Sequence, residues 1–144
     1  VLVFVGRGNI RGFRDLVKLE RIAIATPRSA PAGAYAMEAL EKSGWLPELK
    51  KKLILARDVR EALAYAERGE VGGAFVYRSD ALLAKKAKVL FVVPSNLHAP
   101  ILYPMAMTPR GSVKEGAVAY YQFLHGDAVR GVLKRYGFTA PPSP

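Results

Sequence analysis

The sequence contains no cysteine. Disulfides, thiol catalysis and thiolate zinc sites are thereby excluded, and any metal would have to be held by histidine or carboxylate. Histidine is nearly as scarce, with two copies, His98 and His125, far apart in the chain and with no acid and nucleophile around either. Both read as structural residues, so no catalytic residue, no metal site and no cofactor is expected. Long apolar runs are also missing: residues 1–5 and 89–94 fall far short of the roughly 18 residues needed to span a bilayer. Acidic residues number 12 against 22 basic ones, a net charge of +10. That balance makes nucleic acid or another anion a candidate partner.

What is present describes a folded chain. Its 144 residues, 51% hydrophobic and 24% charged, suffice for one compact domain or two small lobes sharing strands. The chain opens Val1-Leu2-Val3-Phe4-Val5 without Met or a charged region, which is neither a signal peptide nor an evident start, so further sequence is expected upstream.

Five short runs rich in β-branched residues, 1–5, 21–25, 53–55, 73–77 and 89–93, have strand length. Helical periodicity separates them, which predicts an α/β layout with a parallel-rich sheet flanked by helices. One helix is short, about 12–18. The next begins at Pro31, carries an apolar stripe through Tyr35, Ala36, Ala39 and Leu40, and ends at Gly44. A third is announced by Asp58 with Glu61 three residues on, a capping box, and ends at Gly69. A weaker one covers about 80–84. Past Asn96 come an extended run, 101–107, and two helices, about 113–124 and 127–136, the last with Asp127 as its N-cap. The final residues, 140–144, read as a frayed end.

Several features invite a functional reading. Gly6-Arg7-Gly8-Asn9-Ile10-Arg11-Gly12 follows a strand, but its third glycine is one residue late for a dinucleotide loop and no acid ends the next strand, so a plain turn is the better reading. Lys50-Lys51-Lys52 and Lys85-Lys86 lack interleaved aromatics and read as solvated faces. Nothing resembles a groove-reading helix or a stacking platform, which argues against nucleic acid. Trp45 and Tyr120-Tyr121 read as packing residues.

The most informative pattern is positional. Thr26 to Gly33 follows one strand and opens a helix, Arg57-Asp58-Val59 follows another and opens a helix, and Tyr77 ends a third strand. In a parallel sheet these loops share the carboxyl edge, where such folds bind ligands. Helix N-termini offer free N–H groups and partial positive charge, so the backbone at Ala32 and Val59, with the Tyr77 hydroxyl, describes an anion site without charged side chains. The same residues also suit a tight helix start, a core valine and a core aromatic.

The segments Ala25-Thr-Pro-Arg-Ser-Ala-Pro-Ala-Gly-Ala-Tyr-Ala36, Asp58-Val-Arg-Glu-Ala-Leu63 and Gly73-Ala-Phe-Val-Tyr-Arg-Ser-Asp80, with His98, Tyr103-Pro104 and Arg135-Tyr-Gly-Phe138, carry a family likeness. Over nearly its whole length the chain resembles the molybdate/tungstate-binding (substrate-binding) proteins of ABC importers. The resemblance implies a type II periplasmic-binding-protein-like fold, with a tetrahedral oxyanion held between two lobes by neutral donors. Here those donors would be the Ala32 N–H, the Val59 N–H and the Tyr77 hydroxyl. It also implies a periplasmic or extracellular location and an ABC permease as partner.

One departure stands out. Family members carry an N-terminal stretch that builds most of the first lobe and supplies two serine hydroxyls, and nothing here corresponds to it. By that analogy residues 1–18 hold a crossing strand and connecting helix, 19–100 form a full α/β lobe with the anion loops, and 101–144 hold the return crossing strand and two helices of an incomplete lobe. Two lost hydroxyls would remove roughly 3 to 6 kcal/mol, about 100-fold to 10,000-fold in affinity. Uncovered helices predict a homo-oligomer or a separately encoded first lobe. The alternative is a degenerate fold that serves as a protein-interaction module without ligand.

Overall fold

A computed structural model of the chain describes residues 1–139. The tail 140–144, expected to fray, lies outside them. The chain divides into two compact units, one covering Val1–Pro100 and one beginning at Ile101.

The first unit is a five-stranded sheet with helices on both faces. Its strands are β1 (Leu2–Gly6), β2 (Ile22–Ala25), β3 (Leu53–Ala56), β4 (Gly73–Tyr77) and β5 (Lys88–Val92), in the order β3-β2-β4-β1-β5. Strand β2 runs parallel to β3 and β4, while β1 is antiparallel to both β4 and β5. The expected parallel-rich sheet is therefore present, with one reversed strand near its middle. The helices are α1 (Phe13–Leu16), α2 (Pro31–Lys42), α3 (Leu46–Leu49), α4 (Val59–Arg68) and α5 (Arg78–Ala81).

Alternation along the strands sorts the core into two layers. Val3, Val5, Ala23, Ala74 and Val76 meet Ala62, Leu63 and Ala66 of α4 in one buried cluster. Leu2, Phe4, Ile22, Ile24 and Phe75 point to the opposite face and are fully buried. There Phe4, Phe13, Phe75 and Phe91 form a nest of rings, with Phe4 and Phe75 edge to face at 5.0 Å. Small residues, Ala36 and Ala39, let α2 lie close to its sheet, to which it adds Leu40.

The helix boundaries follow the sequence signals. Pro31 occupies the first turn of α2, whose sequel turns at Gly44 with φ 78°, and Asp58 caps α4, which ends on Gly69 at φ 76°. Helix α5 starts earlier than expected, at Arg78, directly from β4.

The second unit contains α6 (Pro109–Ser112), α7 (Glu115–Leu124) and α8 (Asp127–Arg135). None of these helices carries a buried residue, and Val113, Tyr120, Phe123, Val132, Leu133 and Tyr136 are exposed. Two expectations are corrected here. Residues 101–107 form no strand: among the described residues this unit offers no strand to pair with, and Pro104 removes a donor. Asp127 is the first residue inside α8, whose N-cap is Gly126; its charge still suits the positive helix end.

Candidate functional site

Strands β3, β2 and β4 lie side by side and run the same way, so Ala56, Ala25 and Tyr77 end on one edge of the sheet. Ala25 is level with Ala56. With neighbouring strands about 4.8 Å apart, the three ends span roughly 10 Å. The structure thus brings the loops of Ala32, Val59 and Tyr77 to one place.

The loop between β2 and α2 is pinned at its start. Thr26 donates both its N–H and its hydroxyl to Ala56 O, each at 2.8 Å, which ties the end of β2 to the end of β3. Its own carbonyl then accepts from the Ser29 and Ala30 N–H groups at 3.1 and 2.9 Å, closing a tight turn into the helix. In the first turn of α2, Pro31 has no N–H, and the Gly33 and Ala34 N–H groups both donate to Ala30 O, at 3.0 and 3.3 Å. Among the described residues no main-chain carbonyl accepts from Ala32, so its N–H is the donor left over at this helix end.

Helix α4 arrives at the same outcome by different means. The Asp58 carboxylate accepts from the Arg60 and Glu61 N–H groups at 3.0 and 2.9 Å, and the Glu61 carboxylate accepts from the Arg57 N–H at 2.5 Å. Asp58 O takes the Ala62 N–H at 3.1 Å. The Val59 N–H is the one left. Among the described residues, the first turn of each of these two neighbouring helices therefore retains a single unspent N–H, and they are the two that the sequence singled out.

Gly33 explains how α2 comes so near the sheet. A Cβ there would lie 1.9 Å from Ala25 O and 2.7 Å from the Ala25 carbonyl carbon. Only a residue without a side chain lets the helix start rest on the strand end. Ala32 beside it is 3% exposed.

Tyr77 closes β4 and sits in the N-cap position of α5, half-buried. Asp80, one turn on, is also half-buried. Desolvation, together with the negative charge of Asp58, pushes its carboxyl above the usual range, opposed by Arg60. Asp58 goes the other way: the Glu61 N–H above all, with the Arg57 side chain and the Arg60 N–H, holds it below that range. The acids at this edge are thus turned to backbone N–H groups or partly desolvated.

Other candidates fall away on geometry. A concavity of about 350 Å³ lies at the opposite edge, among Leu19, Arg21, Glu70 and Gly72. It includes none of the three donors and is open to solvent, so the strand ends define the site. His98 is buried, bonds Ala99 O through Nδ1 at 2.8 Å and packs on Tyr35, a structural role. His125 meets Tyr121 edge to face at 4.9 Å. Among the described residues no cluster of three His, Cys, Asp or Glu side chains is placed to hold a metal ion. Sequence reasoning missed the Thr26 clamp and the close approach at Gly33; both sit inside the loop it singled out, but their partners come from another strand.

Residues 2–139 match the model of the bacterial extracellular solute-binding proteins. The chain belongs to that family. Among solute-binding relatives, the molybdate-binding protein ModA of Escherichia coli is 42% identical over 119 residues, covering 83% of this chain and 46% of the relative. YvgL of Bacillus subtilis, a lipoprotein assigned to the substrate-binding proteins of ABC transporters, is 36% identical over 135 residues, covering 94% and 52%. A solved substrate-binding domain from Clostridium difficile, assigned to a molybdenum ABC transporter, superposes with a TM-score of 0.90 at 30% identity, covering 97% of this chain and 63% of that one. The periplasmic-binding-protein-like α/β fold is thus established, and the chain spans about half the length of the curated relatives it matches.

Proposed function

We propose that this solute-binding protein holds a tetrahedral oxyanion, molybdate or tungstate, at the carboxyl edge of its sheet for ABC-type import. The Ala32 N–H, the Val59 N–H and the Tyr77 hydroxyl are the donors. The observation that carries this reading is the pair of helix starts in which every other first-turn N–H is absent or spent. Neutral donors suit the task, because fixed dipoles at set distances distinguish anions by size and bond length, whereas a guanidinium would grip any of them. Molybdate and tungstate, tetrahedral dianions of nearly equal size, are equivalent ligands here.

In this reading the protein performs no covalent chemistry and uses no cofactor. It works outside the cytoplasm, in the periplasm or at the cell exterior, and delivers its ligand to a permease. Among the described residues no helix is long and apolar enough to cross a membrane. The unit of residues 1–100, with β1 inside its sheet, acts as the ligand-binding lobe, and the segment from Ile101 leads to a second lobe. The uncovered apolar side chains of α7 and α8 support a further protein surface against them, from a second copy or from a first lobe.

Calorimetric titration of the anion-stripped protein with molybdate, tungstate and sulfate tests this. Saturable binding of the first two but not of sulfate is expected. Tyr77→Phe should weaken it by about 10- to 150-fold, the worth of one hydrogen bond to a charged group. Silence towards all three anions from a folded protein refutes the reading and leaves the interaction module.

A further inference from the structure

The basic residues of the first unit are not spread evenly between the two edges of the sheet. Lys18, Lys42, Lys50–Lys52, Lys85, Lys86 and Lys88 all precede strands or end helices that run back from the carboxyl edge. They therefore sit at the amino edge, where Lys52 Nζ donates to Val17 O and Leu19 O. The carboxyl edge has no lysine. Of the four strands that run towards it, three are followed by an arginine, Arg28 beyond β2, Arg57 directly after β3 with Arg60 in the first turn of α4, and Arg78 directly after β4, while Arg7, Arg21 and Arg68 join the lysines at the amino edge.

All four arginines are exposed. Arg57 pairs with Asp58 at 3.3 Å, and among the described residues Arg28, Arg60 and Arg78 make no ion pair within 4 Å. Three carboxylates oppose them: Asp58 gives Oδ1 to the Arg60 and Glu61 N–H groups and Oδ2 to Arg57, Glu61 accepts from the Arg57 N–H, and the half-buried Asp80 is attracted by Arg60. The guanidinium groups thus face solvent around the buried Ala32 and the half-buried Val59. Charges so placed act through distance and are screened by salt, whereas the donors act only on contact.

We propose that Arg28, Arg57, Arg60 and Arg78 form a cationic rim that draws a divalent oxyanion to the strand ends and sets how fast it is captured, leaving the grip to the neutral donors. The inference rests on the anion-binding reading above.

Two variants of equal net charge separate the local rim from the overall charge: Arg28→Glu with Arg78→Glu, and Lys51→Glu with Lys86→Glu at the opposite edge. Molybdate association and dissociation are followed by stopped-flow fluorescence at low and high sodium chloride, with affinity from calorimetry as a second readout. The rim variant should associate about tenfold more slowly at low salt, the difference closing at high salt, with dissociation unchanged. The lysine variant should associate within about twofold of the parent. Equal slowing in both variants overturns the proposal in favour of net charge, and faster dissociation in the rim variant overturns it in favour of direct contact. Should the glutamate pair unfold, Arg28→Gln with Arg78→Gln carries the same comparison. A parent protein that binds no molybdate refutes the anion reading itself, an outcome distinct from normal binding without a rim effect.

Discussion

The closest backbone approach at the site gives the sharpest prediction. Gly33→Ala adds one methyl group 1.9 Å from Ala25 O, and the atoms it meets, Ala25 O, Ala25 C and Pro27 N, are all main chain. No rotamer relieves the clash, so the start of α2 must retreat by about 1.5 Å to reach the ordinary contact distance of 3.4 Å. Overpacking of this kind costs about 1–3 kcal/mol, offset by about 1 kcal/mol from the better helix propensity of alanine. A net loss of up to about 2 kcal/mol in urea denaturation is expected. The same retreat carries the Ala32 N–H out of hydrogen-bond range of an anion still held by Val59 and Tyr77. Affinity should then fall by about 10- to 150-fold. Gly131→Ala, in α8 with nothing within 4 Å of the added carbon, should instead gain about 1 kcal/mol. A Gly33→Ala protein as stable as the parent and binding molybdate equally well would refute the reasoning at both steps.

Two further predictions concern carboxylates. Burial and the nearby Asp58 raise the Asp80 carboxyl in the folded state, so its contribution to stability is present at low pH and is lost as pH rises through the folded value. Asp80→Asn should melt higher than the parent at pH 7 and equal to it near pH 3; a lower melting temperature at pH 7 would mean that the attraction of Arg60 wins. Glu67 has the opposite sign. Its carboxylate accepts from the Ala87, Lys86 and Lys85 N–H groups at 2.6, 3.0 and 3.1 Å, and these hold it below its usual range. That stabilisation is present above the unfolded value and fades as pH falls through the folded one. Glu67→Gln should melt lower than the parent at pH 7, with the gap narrowing in acid; a constant gap across pH would refute the assignment.

Much of the first unit was legible because its signals are local. Pro31, Gly44, the Asp58 and Glu61 box and Gly69 act within a few residues of themselves, and buried strands advertise themselves through β-branched runs. The direction of β1 was not legible, since it depends on which distant strands it pairs with. Residues 101–107 read as a strand from composition, but a strand exists only with a partner. At the site, Ala32 and Val59 could be found as helix starts. That theirs are the N–H groups left over depends on where the Ala30 carbonyl and the Asp58 and Glu61 carboxylates point, which only the folded chain shows. The arginine rim is scattered over 50 residues of sequence, from Arg28 to Arg78, and becomes one feature only when the strand order is known.

The reversed strand has a consequence for how the molecule assembles. In β1, Leu2 faces Tyr77 and Val3 faces Val92, so both seams of this interior strand join segments far apart in the chain. The β2, β3 and β4 portion can come together first, but it then displays the unpaired flank of β4 until β1 arrives. Closing such long loops is slow, and a bare apolar strand edge is a template for pairing with other chains. Topology thus makes the insertion of β1 beside β4, where Phe4 comes opposite Phe75, the step expected to be slow, with aggregation through the open flank of β4 as the hazard until it is complete.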